Sequence, residues 1–148
     1  MHGGPWYAPP THPRYRLKVA GAQRASYGEE VCTSGAMTGE HCGLEVTSPY
    51  TARPCAGPGT GAPYCYGFSA ENLGSPNAVS NGSGDSGGPV YLFRSDGRVG
   101  ARGIIYGAHT QVPCGSTAKA NVRCGHGVFF TDIIDVKNQW GVSIDVTP

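Results

Sequence analysis

The sequence predicts an all-β domain: a closed antiparallel barrel of six or seven short strands, ended by one short C-terminal helix. Three observations carry this. Apolar and polar residues alternate at period two in several short segments, as half-buried strands require. Gly (24) and Pro (12) are abundant without a repeating period, which fits many strands joined by tight turns. With 148 residues, 39 % of them hydrophobic, the chain can bury one core and form one domain, and it holds no internal repeat.

Residues 1–14 are rich in Pro, Gly and His without periodicity, so they read as a disordered lead-in to a barrel over 15–148. From Tyr15 the pattern becomes strand-like, with Leu17 and Val19 alternating against Arg16 and Lys18. "EEVCTSG" and "HCGLEV" read as two strands held by Cys32 and Cys42 across a Ser-Gly-containing loop. "APYCYGFSA" places Tyr64, Tyr66 and Phe68 on one strand face. Asp96-Gly97 is a hairpin signal between strands Val90–Phe93 and Val99–Ile105, and "GVFF" is a further short strand. "TDIIDVKNQWG" reads as the helix. Thr131 caps it, Asp132 and Asp135 lie at its positive end, Lys137 lies toward its negative end, and Gly141 terminates it. Ile133, Val136 and Trp140 share the face expected to dock on the sheet.

Composition excludes several functions. A net charge of +1 with no basic run gives no electrostatic support for nucleic-acid or anionic-membrane binding. No apolar run reaches membrane-spanning length, and the first residues lack the apolar segment of a signal peptide. Six cysteines stand at 32, 42, 55, 65, 114 and 124. Six allow fifteen connectivities; the simplest is local, Cys32–Cys42, Cys55–Cys65 and Cys114–Cys124. No C-x-x-C occurs and no histidine flanks a cysteine at metal spacing, so no metal or cofactor is expected. Paired cysteines imply an oxidising compartment and a secreted protein. Set beside the missing export signal, they suggest the back end of a longer precursor.

The chemistry-bearing segment is "NGSGDSGGPV", Asn81 to Val90. A nucleophilic serine needs an exposed hydroxyl on a fixed backbone, with N–H groups aimed at the oxyanion that forms on the attacked carbonyl. Small residues around Ser86 allow that close approach. Asp85, an anion beside the nucleophile, must point elsewhere and be paired. Gly84 to Gly88 also fits the G-x-S-x-G of a nucleophile elbow, but an elbow leads into a helix, and here Pro89 and "VYLF" lead into a strand.

The longer string Gly84-Asp85-Ser86-Gly87-Gly88-Pro89 resembles the nucleophile motif of the chymotrypsin-like serine proteases. "VCTSGAMTGEHCGLEV", Val31 to Val46, is similar to the Cys-x-Ser-Gly…Thr-Gly…Cys-Gly segment of their streptogrisin and α-lytic-type bacterial branch, in which the two cysteines are bridged. "GVFFTDI" is similar to the strand entering that family's C-terminal helix. The matches run from Val31 to Val146, in family order, and correspond to the second barrel, a closed six-stranded one. The resemblance implies a serine-type endopeptidase acting on proteins or peptides. Ser86 is then the nucleophile, and the N–H groups of Gly84 and Ser86 form the oxyanion hole. Ser80 to Ser83, with Ser80 at the base and Asn81 beside it, forms one wall of the substrate pocket; Tyr106, Gly107 and Ala108 form the other. A neutral Ser80, where trypsin-like members carry an acid, points away from strict Arg or Lys preference and toward apolar or aromatic residues.

Two parts of the family's machinery have no match. A serine hydroxyl needs a base, which in this family is a histidine oriented by a buried aspartate, both preceding the serine on the first barrel. No aspartate precedes Asp85, which leaves only a glutamate such as Glu29 or Glu45 for that role. His2, His12 and His41 precede Ser86 but none has the family's Ala-x-His-Cys context; His109 and His126 follow it, flanking the pocket loops. Two-barrel enzymes need roughly 200–250 residues, so a missing N-terminal barrel carrying His and Asp is the expected partner. The bacterial branch also places an arginine directly after the first motif cysteine to neutralise the buried aspartate, and here that position is Thr33. Either another cation reaches Asp85, with Arg24, Arg53 and Arg102 as candidates, or Asp85 is less buried and its loop looser. A barrel without a base also permits a second role, a non-catalytic protease homologue acting as a secreted binding module. A third reading, an unrelated disulfide-bonded β domain with a Gly-rich loop, must explain two family motifs at compatible separation as coincidence.

Overall fold

The computed structural model describes residues 17–54, 64–116 and 121–146, so the proposed lead-in at 1–14 lies outside the described residues. Nine strands and one helix follow in order: β1 (Val19–Ala22), β2 (Glu30–Gly35), β3 (Gly39–Val46), β4 (Thr51–Pro54), β5 (Tyr64–Glu71), β6 (Asn81–Gly82), β7 (Pro89–Phe93), β8 (Val99–Val112), β9 (Cys124–Asp132) and α1 (Ile133–Trp140).

Pairing runs β8–β7–β2–β3–β5–β9, and β9 pairs back onto β8. The ring is uneven. β8 and β9 pair from Gly103↔Asp132 to Val112↔Cys124, whereas β2–β7 and β3–β5 each meet at only two residue pairs. β1, β4 and β6 hang from this ring, and β1 runs parallel to β8 where every other pairing is antiparallel. The expected all-β chain with one terminal helix is therefore present, but with more strands than six or seven and without an evenly closed barrel.

Side-chain alternation along the strands makes two cores. Val31, Leu44, Val46, Phe68, Ala70, Val90, Ile105, Val128 and Phe130 point inside the ring. Their sequence neighbours Cys32 and Tyr91 point outward and join Val19, Val99, Ala101 and Ile133 beneath β1 and the helix. Being covered on both sides explains why β2 is buried at nearly every position. The Tyr91 hydroxyl ends this outer layer by donating to Glu40, and burial pushes its pKa up.

The helix sits where the sequence places it, with Gly141 closing it in the left-handed region at φ 61°. Its cap is Asp132, not Thr131: Asp132 accepts from the Ile134 N–H at 2.8 Å, while Thr131 is still paired with Gly67 and Ile104 in the sheet. The docking face is shorter than expected. Ile133 is buried, but Trp140 is 72 % exposed because the last turn runs past the end of the outer core. Tyr64 and Tyr66 likewise stand in solvent, and only Phe68 of that stripe reaches the inner core.

Disulfides Cys32–Cys42 and Cys114–Cys124 match the local assignment. Cys65 is disulfide-bonded too; the expected partner, Cys55, lies outside the described residues.

Candidate active site

The loop between β6 and β7 is held from two sides. On one side the Gly87 N–H donates to Ile105 O and the Ile105 N–H to Gly88 O, both at 2.8 Å, which ties the loop to β8. On the other side Asp85 turns inward, only 1 % exposed, while Ser86 next to it is exposed.

Asp85 is held by hydrogen bonds. Four neutral donors serve it: Oδ1 accepts from the N–H groups of Met37 (2.7 Å) and Thr38 (3.2 Å), and Oδ2 from Thr38 Oγ1 (2.5 Å) and the Gly82 N–H (2.7 Å). Several hydrogen bonds to a carboxylate satisfy its charge without a partner ion. Among the described residues no lysine or arginine pairs with it, and the three proposed arginines are engaged elsewhere. Arg24 bonds Asp135 at 2.7 Å, Arg102 grips Glu29 with two contacts of 2.8 Å, and Arg53 lies over the Phe129 ring at 4.6 Å. Neither sequence alternative for Asp85 is seen among the described residues: it is fully buried, and none of the three candidate arginines pairs with it. The same Arg102 contact occupies Glu29, a proposed stand-in for the triad aspartate. Thr33, where the resemblance implies an arginine, donates its hydroxyl to Ser80 O at 2.5 Å and so ties β2 to the segment entering β6.

Two glycines make this packing feasible. A Cβ on Gly35, the last residue of Cys-x-Ser-Gly, would sit 2.0 Å from Asp85 Cγ, so one motif leaves the space that the other fills. Gly84 lies at φ +93°, where L side chains are strained, and a Cβ there would meet Met37 Cγ at 2.7 Å.

Amide use along the loop alternates. The N–H groups of Asp85 and Gly88 donate to Gly82 O and Asp85 O, and that of Gly87 to Ile105 O. Among the described residues, the N–H groups of Gly84 and Ser86 have no backbone partner.

The two expected pocket walls meet. Asn81 is buried and its Nδ2 donates to Gly107 O at 2.8 Å, while its Oδ1 is buried without a partner. Ser80 is wholly enclosed, with its N–H and Oγ both donating to Gly125 O (2.9 and 3.1 Å). Tyr106 stacks on Phe129 at 6.0 Å, half-buried, and burial pushes its hydroxyl pKa up; Ala108 is exposed.

No described histidine hydrogen-bonds Ser86. His41 bonds Thr38 Oγ1 at 3.0 Å, and burial holds its pKa below the ordinary imidazole value against the opposing pull of Asp85 and Glu40. His109 faces Glu71 (3.5 Å) and stacks on Phe129 (4.6 Å), with its pKa likewise lowered by burial. His126 bonds Ala78 O. Among the described residues no cluster of His, Cys, Asp and Glu could hold a metal, and no helix is long and apolar enough to cross a membrane. The residues that sequence reasoning missed are Met37, Thr38 and Gly82. Two of them act through backbone N–H alone and the third adds a hydroxyl, so residue type gave little signal.

The fold and this loop define a class: the chain has the fold of the chymotrypsin-like bacterial serine proteases. Among solved structures it resembles a glutamic-acid-specific serine protease that uses a histidine triad in substrate binding (20 % identity, TM-score 0.59, covering 87 % of this chain and 55 % of that one). It also resembles Thermobifida fusca protease A (25 %, TM-score 0.58, 88 % and 56 %) and Cellulomonas bogoriensis chymotrypsin (22 %, TM-score 0.57, 89 % and 57 %). The chain thus spans a little over half the length of these structures. No family model and no curated relative matches it.

Proposed function

We propose that this chain is the serine-bearing half of a secreted serine endopeptidase that cleaves proteins or peptides by acyl transfer. Ser86 Oγ attacks the scissile carbonyl, a base takes its proton, and the same group returns the proton to the leaving amine. The base and its orienting carboxylate belong to a preceding barrel outside this chain. Residues 15–148 form the C-terminal barrel, closed by six of its strands, and 1–14 lead into it. The N–H groups of Gly84 and Ser86 receive the oxyanion. Asn81, Tyr106, Gly107 and Ala108 flank the substrate over an enclosed, neutral Ser80, which suits an apolar or aromatic side chain.

The observation that carries this reading is the division within the loop: a carboxylate held inside by four donors, and an exposed serine beside two amides with no backbone partner among the described residues. The disulfides support an extracellular setting. A secreted, non-catalytic binding module is the second reading, favoured by the lack of a described histidine bonded to Ser86.

Fluorophosphonate labelling separates them. The chain alone should react slowly, and the chain joined to its upstream barrel rapidly and stoichiometrically at Ser86. Rapid labelling of the isolated chain would overturn the external base, and no labelling in either form would leave the binding module.

A further inference from the structure

The donors around Asp85 do not end at Thr38. Thr38 Oγ1 has a single proton, and at 2.5 Å from Asp85 Oδ2 that proton is committed to the carboxylate. The oxygen can therefore only accept from His41 Nε2, 3.0 Å away. His41 must carry its proton on Nε2, and in doing so it fixes the threonine rotor. A hydroxyl free to rotate could instead turn its proton toward another acceptor and leave Asp85 Oδ2, which is inside the protein, one donor short. Thr38 and Asp85 are both buried. The relay is therefore screened little by water and links a histidine on β3 to the loop carrying Ser86.

We infer that His41 is a positioning residue: as the Nε2–H tautomer it holds the Thr38 hydroxyl on Asp85, and through Asp85 it holds the Gly82–Ser86 backbone in place. A line of neutral donors here does what a neighbouring cation does elsewhere. The inference deepens the protease reading and rests on it for the loop's purpose, but not for the relay.

The test uses the whole 148-residue chain. Nitrogen-15 NMR of the histidine rings should show His41 with its proton on Nε2; a proton on Nδ1 overturns the inference with no variant needed. His41→Gln keeps an N–H donor at similar reach, whereas His41→Leu removes it. In His41→Leu, hydrogen exchange at the Met37, Thr38 and Gly82 amides should speed by about tenfold, the loss of one hydrogen bond, while the β8–β9 amides stay protected. His41→Gln should restore the slow rates. Equal exchange in the Leu and Gln variants overturns the inference, and if the Leu variant does not fold the ring signature still decides. The protease reading fails separately, through absent Ser86 labelling in a chain whose relay is intact.

Discussion

At the scale of single residues the site is a problem in finding partners for a buried charge. The pairing of Gly35 with Asp85 predicts that Gly35→Ala destabilises the chain by about 1–3 kcal/mol, the usual cost of overpacking a tight core, measured by urea denaturation. Asp132 makes a different prediction. It is fully buried, its Oδ2 has no hydrogen-bond partner among the described residues, and burial raises its pKa although Ile134 N–H and Arg24 oppose that. A carboxyl whose pKa is raised on folding binds more protons folded than unfolded, so its contribution to stability falls as pH rises through the folded pKa. Asp132→Asn keeps an oxygen for the helix cap and removes the charge. It should be more stable than the parent at neutral pH, and the gap should close as pH falls into the ordinary carboxylate range and below, read by thermal melts across pH. That Ser86 faces outward while Asp85 turns in to find partners was legible in the sequence, because a charge beside small residues must be paired whatever the fold. The donors to Asp85 were not, since a backbone N–H is present at almost every position and only the fold selects which ones are aimed.

At the scale of elements, legibility follows periodicity. β2, β3, β5, the β7–β8 hairpin and α1 all announce themselves by alternation, a turn pair or caps. β6 is two residues long and β4 ends at a proline, so neither carries a pattern. β8 extends to Val112 because a register shift between Ile105 and Gly107 lets it continue along β9 past the point where its apolar run stops. Phe130, buried inside the ring against Phe68, should cost about 3–5 kcal/mol on truncation to alanine. Converting Cys32 and Cys42 to serine should cost about 2–4 kcal/mol, seen as a lower denaturation midpoint with an intact strand signature.

At the scale of the whole molecule, two facts belong together: the chain spans a little over half of its structural neighbours, and Trp140, Val142 and Val146 stand exposed at its C-terminal end. Exposed apolar groups that lie close together favour association. Sedimentation should show self-association rising with concentration, and Trp140→Glu should weaken it. The chymotrypsin-like fold was legible because two separated motifs share one order. A strand at Val19 was legible from its alternation, but its parallel pairing was not, because Val19 meets Val99 only in the folded chain.

The β2–β7 contact also governs the order of assembly. The β2–β3, β7–β8 and β8–β9 pairs join neighbouring strands and can form early; Cys32 must find Tyr91 across more than half of the strand list. Pairings so distant in sequence form slowly, because the chain must close a long loop before any contact repays it. The cage around Asp85 draws Met37 and Thr38 from the β2–β3 turn and Gly82 from β6, so it cannot exist before that closure. The loop carrying Ser86 is therefore among the last parts of the chain to take shape, and a partly folded molecule, however rich in hairpins, leaves Ser86 unpositioned.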